Sequence, residues 1–307
     1  MSYITEERRL IQESAREFAM REVLPLANKL DPEQGEIPMA LRDKLAEMGY
    51  FGITIPEEYG GLGLGAFEYC LITEELARAW MSVASLVARG NGLIGSRAMN
   101  EEQKRRYLTR VAKGEFLGAF SMSEPGAGSD IANVTCRARE DGDSWVINGN
   151  KYWCTFADGA DYIMLVARTS EPPDNRRRHL GLSTFLIEKP RGELPKGCAG
   201  NPIPKIGYFG WKTFELSFDN CRIGAECLVG EEGRAFYVVT QGRRVGEDQP
   251  DPLPSQIPSC RITAAGSSGT TRRAGPRSCD PGTQKRIAPK ELPVSFPCED
   301  LSSRPSV

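Results

Sequence analysis

Eight consecutive residues, Ser123-Glu124-Pro125-Gly126-Ala127-Gly128-Ser129-Asp130, bring hydroxyls, carboxylates and glycines into one short stretch. They follow an apolar run, Gly118-Ala119-Phe120-Ser121-Met122, that reads as a β-strand. Pro125 fixes its own φ and ends the strand. Gly126 and Gly128 free the backbone to bend and to let a ligand approach closely. Ser123, Ser129 and Asp130 set hydroxyls and a carboxylate on that bend, a suitable place to hold the polar edge of a cofactor. A turn that merely reverses the chain has the same composition. The stretch is neither a dinucleotide fingerprint nor a P-loop: no G-x-G-x-x-G opens a helix after the strand, and no Gly-Lys-Ser/Thr follows.

Other chemistry is sparse. His179 is the only histidine, and the nine cysteines include no C-x-x-C pair. That argues against a zinc site and against a disulfide framework, and for a reduced, cytoplasmic protein. A Ser-His-Asp or Cys-His nucleophile would have to use His179, which lies in a charged loop behind Arg176-Arg177-Arg178. That loop reads first as a solvated charge run, and second as a basic contact for an anionic substrate. With 39 basic and 41 acidic residues the net charge is −2, which points to neither nucleic acid nor an anionic membrane. No apolar run is long enough to span a bilayer. The N-terminal Met-Ser-Tyr-Ile-Thr-Glu-Glu-Arg-Arg lacks a signal peptide's apolar core and is acidic for a transit peptide.

The elements around these residues change period once. Thr5 can cap a first helix, with Glu6 and Glu7 at its positive end and an apolar face of Leu10, Ile11, Phe18, Ala19 and Val23. Pro25 kinks or closes that helix. A second helix starts at Pro38, faces Leu41, Leu45 and Met48 one way, and ends at Gly49. Ile53 to Gly63 reads as a loop, and helical pattern resumes over Ala66–Trp80, Val83–Leu93 and Glu101–Val111. Residues 1–113 are thus an all-helical domain.

Residues 114–236 then read as a β domain. Short strands are expected over Phe116–Ser121, Val134–Arg139, Ser144–Ile147, Tyr152–Thr155, Tyr162–Ala167, Ser183–Ile187 and Phe214–Phe218. Glu140-Asp141-Gly142-Asp143 and Asn148-Gly149 read as turns, and the spacing argues a β-sandwich or barrel. Glu231 to Phe236 enters a further helix. After Gly242 the pattern stops. Residues 243–307 hold ten of the 21 prolines, one aromatic and ten basic against seven acidic residues. Such a segment cannot bury enough apolar surface to offset ordering, and disorder is expected there.

The helical unit, the β domain carrying Ser123 to Asp130, and the later Ile147-Asn148-Gly149-Asn150-Lys151, Trp153-Cys154-Thr155, Gly181-Leu182-Ser183 and Phe218-Asp219 arrive in an order that resembles the acyl-CoA dehydrogenase family. Pro56-Glu57-Glu58-Tyr59-Gly60-Gly61 supports the same resemblance, which covers residues 1–242. It implies an α+β chain and an FAD-dependent oxidoreductase that forms the α,β double bond of an acyl-CoA thioester. A carboxylate takes the α-proton and FAD takes the β-hydride. The resemblance places Phe120, Met122, Ser123, Gly128 and Ser129 along the flavin, with Met122 and Ser123 beside the ring. It sets Trp153, Cys154 and Thr155 over its other part, with the Thr155 hydroxyl near N5, and Ser129 and His179 toward the substrate. It also implies an electron-transfer flavoprotein partner and a homotetramer.

The departure lies after Gly242, where the family's four-helix bundle is not recognisable. The bundle supplies the catalytic base, the cover over FAD and the tetramer core. Glu247, Glu291 and Glu299 have no helical context, so no catalytic residue is assigned. A natural Pro/Ser-rich tail or a shifted reading frame near codon 243 would each give such a break. Residues 237–307 are then a remnant of the first bundle helix with an aberrant tail, and impaired turnover is expected. A non-catalytic flavin- or CoA-binding remnant and an acyl-CoA oxidase-like flavoenzyme are the alternatives.

Overall fold

Helix formation begins where the chain supplies a cap. The Thr5 hydroxyl accepts from the Arg8 N–H at 3.2 Å and opens helix α1, Glu6–Phe18. The computed structural model describes residues 3–91 and 98–240. The end of the helix expected over Val83–Leu93, all of the tail and its three glutamates lie outside the described residues.

Ala15, Phe18, Ala19 and Val23 form the buried stripe of the first helical stretch. Leu10, expected on that face, is 61% exposed. The stripe runs through Ile11 at four- and three-residue steps, and Leu10 is rotated about 100° from it. Pro25 lacks the N–H that an α-helical ladder would direct back to Arg21. The chain answers with a π-helical turn over Ala19–Val23 and then continues as α2, Leu24–Leu30. Helix α3, Met39–Glu47, follows Pro38 and buries Leu41 and Leu45. Met48 faces solvent, because it caps the helix just before Gly49 turns into the left-handed region at φ 70°. Helices α4 (Ala66–Ala79), α5 (Met81–Asn91) and α6 (Glu101–Ala112) complete the helical domain. Its core joins Phe18, Leu45, Phe51, Leu76, Val83 and Val87.

The β domain is one mixed sheet of eight strands: β1 Gly118–Ser121, β2 Arg137–Asp141, β3 Ser144–Thr155, β4 Tyr162–Arg168, β5 Leu182–Glu188, β6 Cys198–Pro202, β7 Thr213–Gly224 and β8 Leu228–Val229. The order is β6-β7-β3-β2-β4-β5-β8, with β1 parallel to β4. The Gly142-Asp143 connection between β2 and β3 is the expected hairpin. Asn148-Gly149 is not a turn. It lies inside the twelve-residue β3, where the pairing with β7 slips by one residue between Ile147 and Gly149. The extra residue is on β7, and the Asn148 side chain accepts from the Asn220 N–H at 2.9 Å across that bulge. Gly149 is needed for another reason: at φ 139° a Cβ there would meet the Cys136 Cα at 2.7 Å. Strands β6 and β8 carry no pattern that announces them; both are short edge strands.

The helical domain and the sheet meet through Arg42. Its guanidinium donates to the Gly114 carbonyl and to Asp161, which also accepts from the Leu117 N–H. Nearby, Tyr107, Phe116 and Tyr162 stack from α6 to β4. A last short helix, α7, Ala235–Thr240, packs beside β5.

Candidate active site

The turn after β1 is tight. Glu124 and Ala127 exchange backbone hydrogen bonds of 2.7 and 3.1 Å around Pro125 and Gly126. Neither Gly126 nor Gly128 lies in the left-handed region, so the bend does not depend on glycine's conformational freedom. Their value is steric: a Cβ at either position would meet nothing within 4 Å, and the turn presents bare backbone. Phe120 and Met122 are half-buried against the apolar cluster of Val134, Val166 and Leu182, Ser123 is half-buried, and Ser129 is exposed.

What holds this turn against β3 is a buried ion pair that no motif announced. Lys151 Nζ donates to Glu124 Oε1 at 2.8 Å and to the Met122 carbonyl at 2.9 Å, with both side chains essentially removed from solvent. The Glu124 carboxylate also accepts from the Thr135 N–H and hydroxyl and from the Cys136 N–H. Burial pushes the Glu124 carboxyl up, but Lys151 and the Thr135 donors outweigh burial and hold it below the ordinary carboxylate range. A backbone bond from the Tyr152 N–H to the Ser123 carbonyl, 2.8 Å, closes the junction. The signal for this pair was a charged residue inside each of two otherwise apolar or turn-like motifs.

Trp153 stands on β3 beside that junction. A second slip in the β3–β7 pairing, between Lys151 and Cys154, places one extra residue on β3. Trp153 takes it up at φ 62°, 56% exposed, with its ring edge-on to Tyr152. A bulky side chain in the left-handed region is strained, and such strain clusters at binding sites. Cys154, the next residue, points the other way. It is fully buried in the sheet core, and burial pushes its thiol up to about 11. The structure therefore does not bring Cys154 to the face that carries Trp153. Thr155 is half-buried and its hydroxyl lies 3.1 Å from that of Thr213.

The basic loop reaches the same end of the sheet. Arg178 donates to Asp130 at 3.0 Å and to Asn133 at 2.6 Å. Arg168, buried at the end of β4, donates to the carbonyls of Ala132, Val134, Arg178 and Leu180. Together they fasten the Ser129–Asp130 end of the turn to the loop that carries His179. The His179 ring lies between α7 side chains, 3.2 Å from the Tyr237 hydroxyl and 5.1 Å from the Phe236 ring centre. Arg177 pairs with Asp174. Among the described residues, no group of histidine, cysteine and carboxylate side chains could hold a metal ion.

Two adjoining segments of the chain match models of one family: "Acyl-CoA dehydrogenase, N-terminal domain" over residues 5–115 and "Acyl-CoA dehydrogenase, middle domain" over residues 119–221. The chain belongs to the acyl-CoA dehydrogenase family. It is 39% identical over 251 residues to (2S)-methylsuccinyl-CoA dehydrogenase of Cereibacter sphaeroides, covering 78% of this chain and 45% of that protein. It superposes on an acyl-CoA dehydrogenase from Geobacillus kaustophilus with a TM-score of 0.69 at 31% identity, covering 77% and 61% of the two chains. It also superposes on a glutaryl-CoA dehydrogenase from Mycobacterium smegmatis in complex with FADH2, at TM-score 0.66 and 28% identity, covering 76% and 57%. Several of the relatives it matches are themselves named as dehydrogenases. The chain spans about half the length of the curated relatives it matches. Among the described residues no helix is long and apolar enough to cross a membrane.

Proposed function

We propose that this chain binds FAD on the face formed by the Ser123–Asp130 turn and Trp153, and that its lineage reaction is α,β-dehydrogenation of an acyl-CoA thioester. The observation that carries the reading is the junction itself. One buried ion pair, Lys151–Glu124, locks a bare, hydroxyl-bearing turn beside a strained, exposed tryptophan. The donor set suits a flavin. Ser123, Ser129 and Thr155 offer neutral hydroxyls to a polar ring edge or a phosphate. Phe120, Met122 and Trp153 offer apolar and aromatic surface. When bound there, FAD supplies the two-electron acceptor.

The chain's own residues then bind, orient and exclude water. Trp153 and Phe120 wall the ring from solvent, and the Thr155 hydroxyl donates toward it. Ser129 and His179 face the thioester end, with Arg168 and Arg178 fixing their spacing. The division of labour follows residues 1–113 as a helical domain, 114–236 as the flavin-contacting domain, and 237–307 as a remnant of the first bundle helix with a disordered or aberrant tail. Because no catalytic base is assigned, turnover by the 307-residue chain is expected to be low. Electrons pass to an electron-transfer flavoprotein, and the family's homotetramer depends on the bundle.

Reconstitution with FAD, followed by absorbance and flavin fluorescence, tests the cofactor. Acyl-CoA-dependent dye reduction tests the reaction, and hydrogen peroxide release distinguishes an oxidase. A chain that takes up no flavin would sink the reading. Flavin uptake without dye reduction would mark a binding remnant.

A further inference from the structure

A cleft of about 210 Å³ opens between α5 and strands β1 and β4, lined by Ser85, Ala88, Phe120, Tyr162, Met164 and Arg89. Phe120 links it to the Ser123 turn, two residues before Met122. Apart from Ser85 and Arg89 its lining is apolar or aromatic. Arg89 is the anomaly. Its Nη1 donates to the Gly118 carbonyl at 3.2 Å, and its guanidinium carbon lies 4.8 Å from the centre of the Trp211 ring and 5.5 Å from that of Phe156. Its Nε–H is buried without a hydrogen-bond partner among the described residues. No carboxylate among the described residues pairs with it, whereas other buried charges are answered: Lys151 by Glu124, Arg42 on α3 by Asp161, Arg168 by four carbonyls.

A guanidinium stays protonated at any working pH. Aromatic faces partly compensate its charge, but they leave its in-plane donors unmatched. An unmatched buried donor is costly, and a ligand oxygen placed there recovers that cost. A carboxylate answers the charge and the donors together.

We propose that Arg89 selects acyl thioesters whose acyl chain ends in a carboxylate. The inference rests on the acyl-thioester reading above and names its substrate class. The cleft takes the acyl chain over Phe120 and Met164, and Arg89 receives the distal carboxylate. Trp211 and Phe156 hold the guanidinium in place behind it.

Isothermal titration of the full 307-residue chain, reconstituted with FAD, with glutaryl-CoA and pentanoyl-CoA tests this. The two five-carbon thioesters differ only in a terminal carboxylate against a methyl. Glutaryl-CoA is expected to bind about tenfold tighter or more, as a charge-assisted pair in a partly buried site should. Arg89→Gln should erase that preference by weakening glutaryl-CoA, leaving pentanoyl-CoA within about threefold. Arg89→Lys should retain part of the preference. Equal affinity of the unmodified chain for the two thioesters, or tighter pentanoyl-CoA, would overturn the role of Arg89 and leave the acyl-thioester reading standing. Binding of neither would overturn both. The comparison on the unmodified chain decides the matter even if a variant does not fold.

Discussion

Trp153 and Lys151 lie two positions apart on β3, yet they carry opposite kinds of cost. Trp153 holds a left-handed backbone that glycine would adopt freely. Both Trp153→Gly and Trp153→Ala remove the ring, but only the alanine keeps a Cβ at φ 62°. The glycine variant should therefore be the more stable of the two by about 1 kcal/mol in urea unfolding, while both lose flavin affinity. Equal stabilities would remove the strain argument. Lys151 is a buried charge with one carboxylate partner. Lys151→Met strands Glu124 in the interior and should cost about 3–5 kcal/mol, and Glu124→Gln combined with it should cost less than Lys151→Met alone. The Glu124 carboxyl is held below its ordinary value in the folded chain. Its contribution is therefore complete above the unfolded value, about 4.3, and is lost as pH falls through the lower folded value. Glu124→Gln should flatten stability against pH in that acid window, measured by chemical denaturation across pH.

At the level of elements, β3 decides the site. It pairs with β2 and β7, and its two bulges against β7 determine which side chains reach which face. The first, at Asn148–Gly149, lets the strand run through a dipeptide that reads as a turn. The second turns Trp153 outward and leaves Cys154 inward. Gly149→Ala should lower stability by about 1–3 kcal/mol, because its Cβ meets the Cys136 backbone just before β2 and its φ is strained. It should also weaken flavin retention, since the Thr135–Cys136 segment that leads into β2 carries the donors to Glu124. Unchanged retention, measured as bound flavin after gel filtration, would show that the site does not depend on the β2–β3 register.

Across the whole molecule the helical domain and the sheet are joined by Arg42, Asp161 and Arg191. Burial pulls the Arg42 guanidinium down, and the hydrogen bond and charge of Asp161 counter that. Arg42→Met takes the guanidinium donor from the Gly114 carbonyl and leaves Asp161 with only Arg191 and the Leu117 N–H, and should cost about 1–3 kcal/mol in thermal or urea unfolding. The cleft at Arg89 lies on this same junction, so Arg42→Met should also loosen acyl-thioester binding without touching the cleft. Much of this architecture was legible in the chain. Caps at Thr5, Pro38 and Gly49 and the 3.6-residue stripes located helices, because their periodicity is local. The mixed order of the sheet and the edge strands β6 and β8 were not legible, because strand pairing is set by residues far apart in sequence.

By itself the sequence determined the resemblance to the family, the change from helix to strand near residue 114, and the two motifs that carry the proposed site. Those follow from residue types at short spacing, which local chemistry dictates. Only the tertiary structure decided that Glu124 and Lys151 neutralise each other, that Trp153 is strained outward while Cys154 is buried, and that Arg89 stands in a cleft with an unmatched donor. Each of these depends on groups brought together from distant parts of the chain, 27 residues apart for the ion pair, and on the exclusion of water that only packing creates.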